Sequence, residues 1–183
     1  GQKAKDAAEF QQMVDEGRWS ELLNEVPIHE GDFFQIDPGT IHAIKGGTVI
    51  LETQQSSDVT YRVYDYDRKQ ADGTTRPLHI EQSVECVDFD QKPAQSGAVT
   101  TPIIGGIQHL ADTDRYLVDL IHVNGEKVFS AIPTFRCVSV IEGEGSVAGV
   151  EVKRGTHFII PAAFGDVDCS GTMKLIVSRV PTS

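Results

Sequence analysis

The stretch GDFFQIDPGTIHAI, residues 31–44, sets His42 four residues after Pro38 and three after Gly39, where a Pro-Gly turn should hand the chain to a strand. A rigid position of that kind suits a metal ligand, and it equally suits a hydrogen-bonded structural histidine. A metal ion needs three or four protein ligands, so one imidazole alone holds nothing. Glu52 closes the segment TVILE on the parity of Thr48 and Ile50. Its carboxylate could carry a proton in acid–base chemistry or pair with a neighbouring cation. Arg62 follows in TYRVYDY, sharing a face with Thr60, Tyr64 and Tyr66, where an arginine is commonly a packed salt-bridge residue.

The elements that must position these groups change character along the chain. In AKDAAEFQQMVDEG, the apolar residues Ala7, Phe10, Met13 and Val14 recur at helical spacing and Gly17 offers a stop. WSELL reads as a second short helix. After Pro27 the pattern becomes β: GDFFQID, GGTVILETQ and VTYRVYDY are rich in β-branched and aromatic residues and broken by Pro-Gly, Gly-Gly and Ser-Ser-Asp turns. KQADGTTRP reads as a loop, and HIEQSVECV as one or two helical turns. From Arg115 onward RYLVDLIHV, FRCVSVIEG, SVAGVEV, HFIIP and MKLIVSRV read as strands, with turns expected at Asn124-Gly125 and in EGEG, residues 142–145.

With 183 residues and 39% hydrophobic content, the chain can bury a core in one or two domains. No apolar run reaches the roughly 18 to 20 residues needed to span a bilayer, and GQKAKDAAEF lacks the apolar stretch of a signal peptide, which points to the cytoplasm. Cys86, Cys137 and Cys169, odd in number and without CxxC spacing, suggest neither a disulfide framework nor a cysteine zinc site, and read as small core residues. A net charge of −11 repels nucleic acid and anionic membranes. His29, His79, His109, His122 and His157 are scattered and read as structural or solvated.

The β segments repeat. Gly31-Asp32-Phe33-Phe34 matches Gly155-Thr156-His157-Phe158, and Gly47-Thr48-Val49-Ile50 matches Gly171-Thr172-Met173-Lys174, both at an offset of 124. The second copy lacks the chemistry of the first, since Ile176 stands at the offset position of Glu52 and Gly165 lies four residues beyond Pro161, as His42 does beyond Pro38. Two related β-barrels are therefore expected, the second degenerate. Three strands precede Gly155 but mostly helix precedes Gly31, so the first barrel is expected to be completed by polypeptide upstream of Gly1 or by another chain.

LETQQSSDVTYRVYDYDR together with GDFFQIDPGTIHAI closely resembles the type I mannose-6-phosphate isomerases, in the short bacterial form, and the resemblance covers the whole chain. VSVIEGEG and GTHFIIP are similar to that family's C-terminal cupin-like domain. The resemblance implies a mostly β fold of cupin-like barrels, of the double-stranded β-helix or jelly-roll kind, with an N-terminal helical segment. Residues 1–92 would be the C-terminal part of the catalytic domain, with helical segment 1–26 and β segments 28–68. A linker over 93–106 and a degenerate cupin-like domain over 107–183 would follow.

The implied activity is zinc-dependent interconversion of mannose 6-phosphate and fructose 6-phosphate. His42 would be one ligand of a single Zn2+ whose other ligands lie upstream, so that this chain alone would lack most of the metal site. Arg62 would line the catalytic pocket and stabilise an anionic enediolate, and Glu52 is a candidate proton carrier. Arg68 and Lys69 are weaker candidates for the substrate phosphate, set against a solvated hairpin end. The alternatives are a non-catalytic sugar-phosphate-binding or regulatory cupin module and a cupin dioxygenase, although the latter needs a second histidine near His42 that the sequence lacks.

Overall fold

The computed structural model describes residues 1–57, 59–90 and 96–182. Asp58, in the LETQQSSD stretch, and residues 91–95, with the start of the expected 93–106 linker, lie outside the described residues. Two compact units divide the chain, one of Gly1–Leu51 with Ser56–Ala98, the other of Glu52–Gln55 with Val99–Ser183. The fold is mostly β, with small helices near the N-terminus.

In the first unit, α1 (Ala7–Asp15) lies within the stretch read as helical. The Asp6 carboxylate accepts from Glu9 N at 2.9 Å while the Glu9 carboxylate accepts from Lys5 N at 2.9 Å, two otherwise orphaned N–H groups satisfied reciprocally. The buried face is Phe10, Met13 and Val14. Phe10 is fully buried, a contribution of roughly 2 to 3 kcal/mol for a side chain of its size. α2 (Trp19–Leu22) adds Leu22 to the same core. α3 (Ile80–Cys86) packs Ile80 and Val84 against it, and Phe89 meets Phe10 edge-on with ring centroids 6.0 Å apart.

The β expectation for this unit is met only in part. β1 (Phe33–Phe34) pairs antiparallel with β2 (Ser96–Gly97), whereas GGTVILETQ and VTYRVYDY form no regular strand among the described residues. A strand exists through ladder bonds to a neighbour, and these segments have none there. Most of their apolar side chains accordingly stay in water, Val63 excepted: Val49 is 98% exposed, and Ile50, Leu51, Val59 and Tyr61 are exposed as well.

The second unit is a complete antiparallel sheet. Its strands are β3 (Ile107–Asp112), β4 (Leu117–Phe129), β5 (Arg136–Val147), β6 (Val150–Lys153), β7 (His157–Ile160) and β8 (Val167–Arg179), in the order β3–β4–β8–β5–β6, with β7 also on β5. Alternate residues such as Ile121, Val123, Val138, Val140, Leu175 and Val177 fill its core. Asn124-Gly125 and EGEG are not turns but lie within β4 and β5, which run straight through them. Gly125, Gly171 and Gly145 form one row across β4, β8 and β5. There the backbones approach so closely that a Cβ on Gly145 would sit 2.1 Å from the Ser170 carbonyl oxygen. Glycine in these strands thus serves strand contact rather than chain reversal.

The cysteines differ from one another. Cys169 is core, as expected, but Cys86 is exposed at the end of α3 and Cys137 is half-buried. Burial, reinforced by the Asp168 carboxylate, pushes the Cys169 thiol up to about 11. The stability owed to a neutral Cys169 is therefore complete below the ordinary thiol range and lost as the pH climbs towards that value. No helix among the described residues is long and apolar enough to cross a membrane.

Two outcomes follow from this packing. Gly171→Ala, with φ +119 and a Cβ 2.6 Å from the Glu144 oxygen, should lower the free energy of urea unfolding by at least about 2 kcal/mol. Gly149→Ala, with φ +77 and open space, should cost only about 1 kcal/mol, and equal losses would rule out the close approach. At pH 8, iodoacetamide should modify Cys86 in the native chain, whereas Cys169 should react only after denaturation, as read by peptide mass mapping.

Candidate functional site

His42 and Arg62 both belong to the first unit; α3 holds the turn that leads to the first and the backbone of the second. The turn that carries His42 is closed by Thr40 N donating to Asp37 O at 3.1 Å. Gly39 presses against the C-terminal end of α3, where a Cβ would lie 2.8 Å from the Cys86 oxygen and 3.1 Å from Asp88 N; Asp88 N donates back to Gly39 O at 3.3 Å. Only glycine allows that approach. The His42 ring then bonds through Nδ1 to Thr40 O at 3.0 Å. Because a carbonyl can only accept, Nδ1 carries the proton, and Nε2 on this exposed ring keeps its lone pair for a ligand. Metal-binding histidines are commonly oriented by such a carbonyl bond.

Arg62 is braced at the other end of α3. Its backbone N donates to His79 Nδ1 at 3.1 Å, its carbonyl accepts from His79 N at 2.8 Å, and its guanidinium reaches Pro77 O at 3.4 Å. Val63 beside it is buried in the α1–α3 core. The helix has seven residues, so the two braced points are separated by about 10 Å of helix axis.

Arg68 and Lys69 have different surroundings. Asp65 is 7% exposed and accepts from Arg76 through both carboxylate oxygens, with Nε to Oδ2 at 2.7 Å and a second bond from NH2 to Oδ1. Arg68 NH2 joins Oδ1 at 3.0 Å. Arg68 N also donates to Asp65 O at 3.0 Å, closing a turn in which Tyr66 and Asp67 are left-handed, with φ of 55° and 51°. Lys69 is exposed and forms an isolated antiparallel bridge with Thr75. Tyr64, on the Arg62 parity, stacks on Trp19 at 4.7 Å between ring centroids.

Glu52 is grouped with the second unit, is exposed, and ends no strand, since TVILE is not paired among the described residues. His157 lies in β7 with Nδ1 2.8 Å from the Ser139 hydroxyl. Among the described residues no three His, Cys, Asp or Glu side chains gather as a metal-binding group. His42 therefore has the chemistry of one ligand, but these residues do not by themselves make a metal site. Of the two residues central to the geometry, Arg76 was passed over in the sequence and His79 was read there only as structural or solvated. Arg76 lies eleven positions from Asp65, and no periodicity connects them. His79 could have been noticed as the residue preceding a helical pattern, where the Ncap falls.

Residues 107–180 match the family model of the mannose-6-phosphate isomerase cupin domain. Over 188 residues the chain is 38% identical to a mannose-6-phosphate isomerase of Streptococcus mutans and 36% identical to a probable mannose-6-phosphate isomerase of Bacillus subtilis, covering 98% of this chain and 58% of each relative. The crystal structure of the mannose 6-phosphate isomerase from Bacillus subtilis matches with a TM-score of 0.89 at 36% identity, over 97% of this chain and 58% of that one. A phosphomannose isomerase from Salmonella typhimurium, at 21% identity and a TM-score of 0.51, is similar in fold over 60% of this chain.

The buried carboxylate makes its own prediction. Asp65→Asn, which leaves Arg76 facing a neutral amide, should destabilise the chain by about 2 to 3 kcal/mol in thermal or urea unfolding. Arg68→Gln should cost less than about 1 kcal/mol, because Arg68 is 65% exposed and Arg76 still satisfies both oxygens.

Proposed function

Because the chain belongs to the type I mannose-6-phosphate isomerase family, in which it corresponds to a C-terminal portion, we propose that it forms part of a cytoplasmic isomerase interconverting mannose 6-phosphate and fructose 6-phosphate. The observation that carries this reading is the anchoring of the Gly39 turn that leads to His42, and of the Arg62 backbone, at the two ends of one short helix, which sets where a ligand-type imidazole and a cation leave the chain. The chain spans 58% of the length of the curated relatives it matches, and the first unit leaves Val49, Ile50 and Val59 in water. Both facts support a first barrel completed by further polypeptide, whose strands would supply the missing ladder bonds and the remaining ligands of a Zn2+ ion bound to His42 Nε2.

The reaction needs the sugar ring opened, a proton removed from the carbon beside the carbonyl, and the same proton, or one from solvent, delivered to the neighbouring carbon. The enediolate between the two steps is an anion. A zinc ion, when bound, would polarise the substrate oxygens. The Arg62 guanidinium, its backbone fixed on both sides, would face the developing charge with little reorganisation to perform at the moment of reaction. Arg68 and Lys69 would meet the phosphate.

A version extended upstream to the relatives' length should hold one zinc ion by metal analysis and show turnover in a coupled isomerase assay, whereas the 183-residue chain should do neither. In the extended protein His42→Ala should lower zinc affinity at least tenfold. Arg62→Ala should keep the metal and lose about 100-fold or more in kcat. An extended protein that bound sugar phosphate without zinc or turnover would instead favour the non-catalytic module.

A further inference from the structure

We propose that His79 is a positioning residue for Arg62, acting as a side-chain clamp on its backbone; this rests on the reading of Arg62 as the cation that faces the substrate. Residue 79 precedes α3, and its carbonyl is already committed to the helix, accepting from Ser83 N at 2.9 Å and from the Ser83 hydroxyl at 2.7 Å. It is therefore not the acceptor for Arg62 N. The imidazole takes that place, with Nδ1 3.1 Å from Arg62 N, while His79 N donates to Arg62 O at 2.8 Å. Both backbone polar groups of Arg62 thus end on one residue.

The choice of side chain is not explained by the helix itself. At an Ncap the side chain ordinarily accepts from the first turn, but His79 makes no such capping bond, and its acceptor is turned to Arg62 instead. Since a backbone N–H can only donate, Nδ1 must be the unprotonated nitrogen. The clamp is also rooted. Ser83 is 3% exposed, Ile80 and Val84 pack on the Phe10 core, and Pro77 O receives the Arg62 guanidinium. Residues 77–83 therefore fix the main chain of Arg62 and aim its side chain. A guanidinium displaced by about 1 Å can lose on the order of 100-fold in rate, so the clamp belongs to the chemistry although His79 need not touch substrate.

Nuclear magnetic resonance of the 183-residue chain tests the clamp without turnover. The His79 15N shifts should show Nδ1 unprotonated, and a protonated Nδ1 in the native chain would overturn the proposal without need of a variant. Amide exchange at Arg62 should be slow, should accelerate at least about tenfold in His79→Leu, and should stay slow in His79→Asn, whose amide oxygen can still accept. Unchanged Arg62 exchange in the leucine variant would also overturn it. In the upstream-extended protein, His79→Leu should lower kcat by about tenfold to a hundredfold with KM little changed, and His79→Asn should recover most of it. If Arg62→Ala were fully active, the reading of Arg62 would fail, and with it the positioning role. If Arg62→Ala were inactive while His79→Leu lost Arg62 protection yet kept its turnover, only the positioning role would fail.

Discussion

Helix α3 is the constraint on which the geometry of the first unit depends. At seven residues it is too short to persist alone in water, since nucleation is costly and only a few internal bonds follow. It persists because Ile80 and Val84 share a core with Phe10, Leu22 and Val63. The order of dependence runs from apolar burial on α1, to the permanence of α3, to two attachments at its ends. One is the Gly39 contact with the Cys86 carbonyl, which sets the turn leading to His42. The other is the exchange of hydrogen bonds between Arg62 and His79. Remove the helix and both residues sit on unpaired extended chain.

The second unit shows what the first unit's β segments lack. β7 begins two residues after Gly155, as β1 begins two residues after Gly31, so the repeat is visible in the folded chain. β7 pairs with β5, and β5 in turn pairs with β8 through strands of twelve and thirteen residues. The matching segments after Gly47 have equally strong strand composition but no strand partner among the described residues, and they form no ladder. Strand propensity is a statement about fitting a pleated, half-buried surface, and without that surface it produces no strand.

That contrast explains which features could be read in advance. α1, α2 and α3 were legible because the helical signal is local: apolar spacing and a stop at Gly17 lie within a few residues. Five of the six strands of the second unit, β4 to β8, fall in segments read as strand from Arg115 onward, whereas β3 (Ile107–Asp112) was not read as one. Asn124-Gly125 and EGEG were misread because glycine pairs signal turns locally, while their actual role is set by neighbours on other strands, Gly171 above all. The family motifs pointed to His42 and Arg62, but not to their supports. His79 and Arg76 act through contacts seventeen and eleven positions away, which no periodicity encodes.

The cluster around Asp65 bears on how a chain of net charge −11 would receive an anionic substrate. A buried carboxylate demands a cation, and a single guanidinium bonded to both oxygens meets that demand. Arg76 already does so, which leaves Arg68 as a second, more exposed cation on a carboxylate that can spare it. Two guanidiniums face the Asp65 carboxylate, and with Asp67 in the same turn the cluster is balanced in charge rather than acidic like the chain as a whole. On the isomerase reading, Arg68 can leave Asp65 for a phosphate without unpairing a buried charge, whereas Arg76 cannot. The buried pair thus holds the turn, and the exposed arginine remains free to exchange partners.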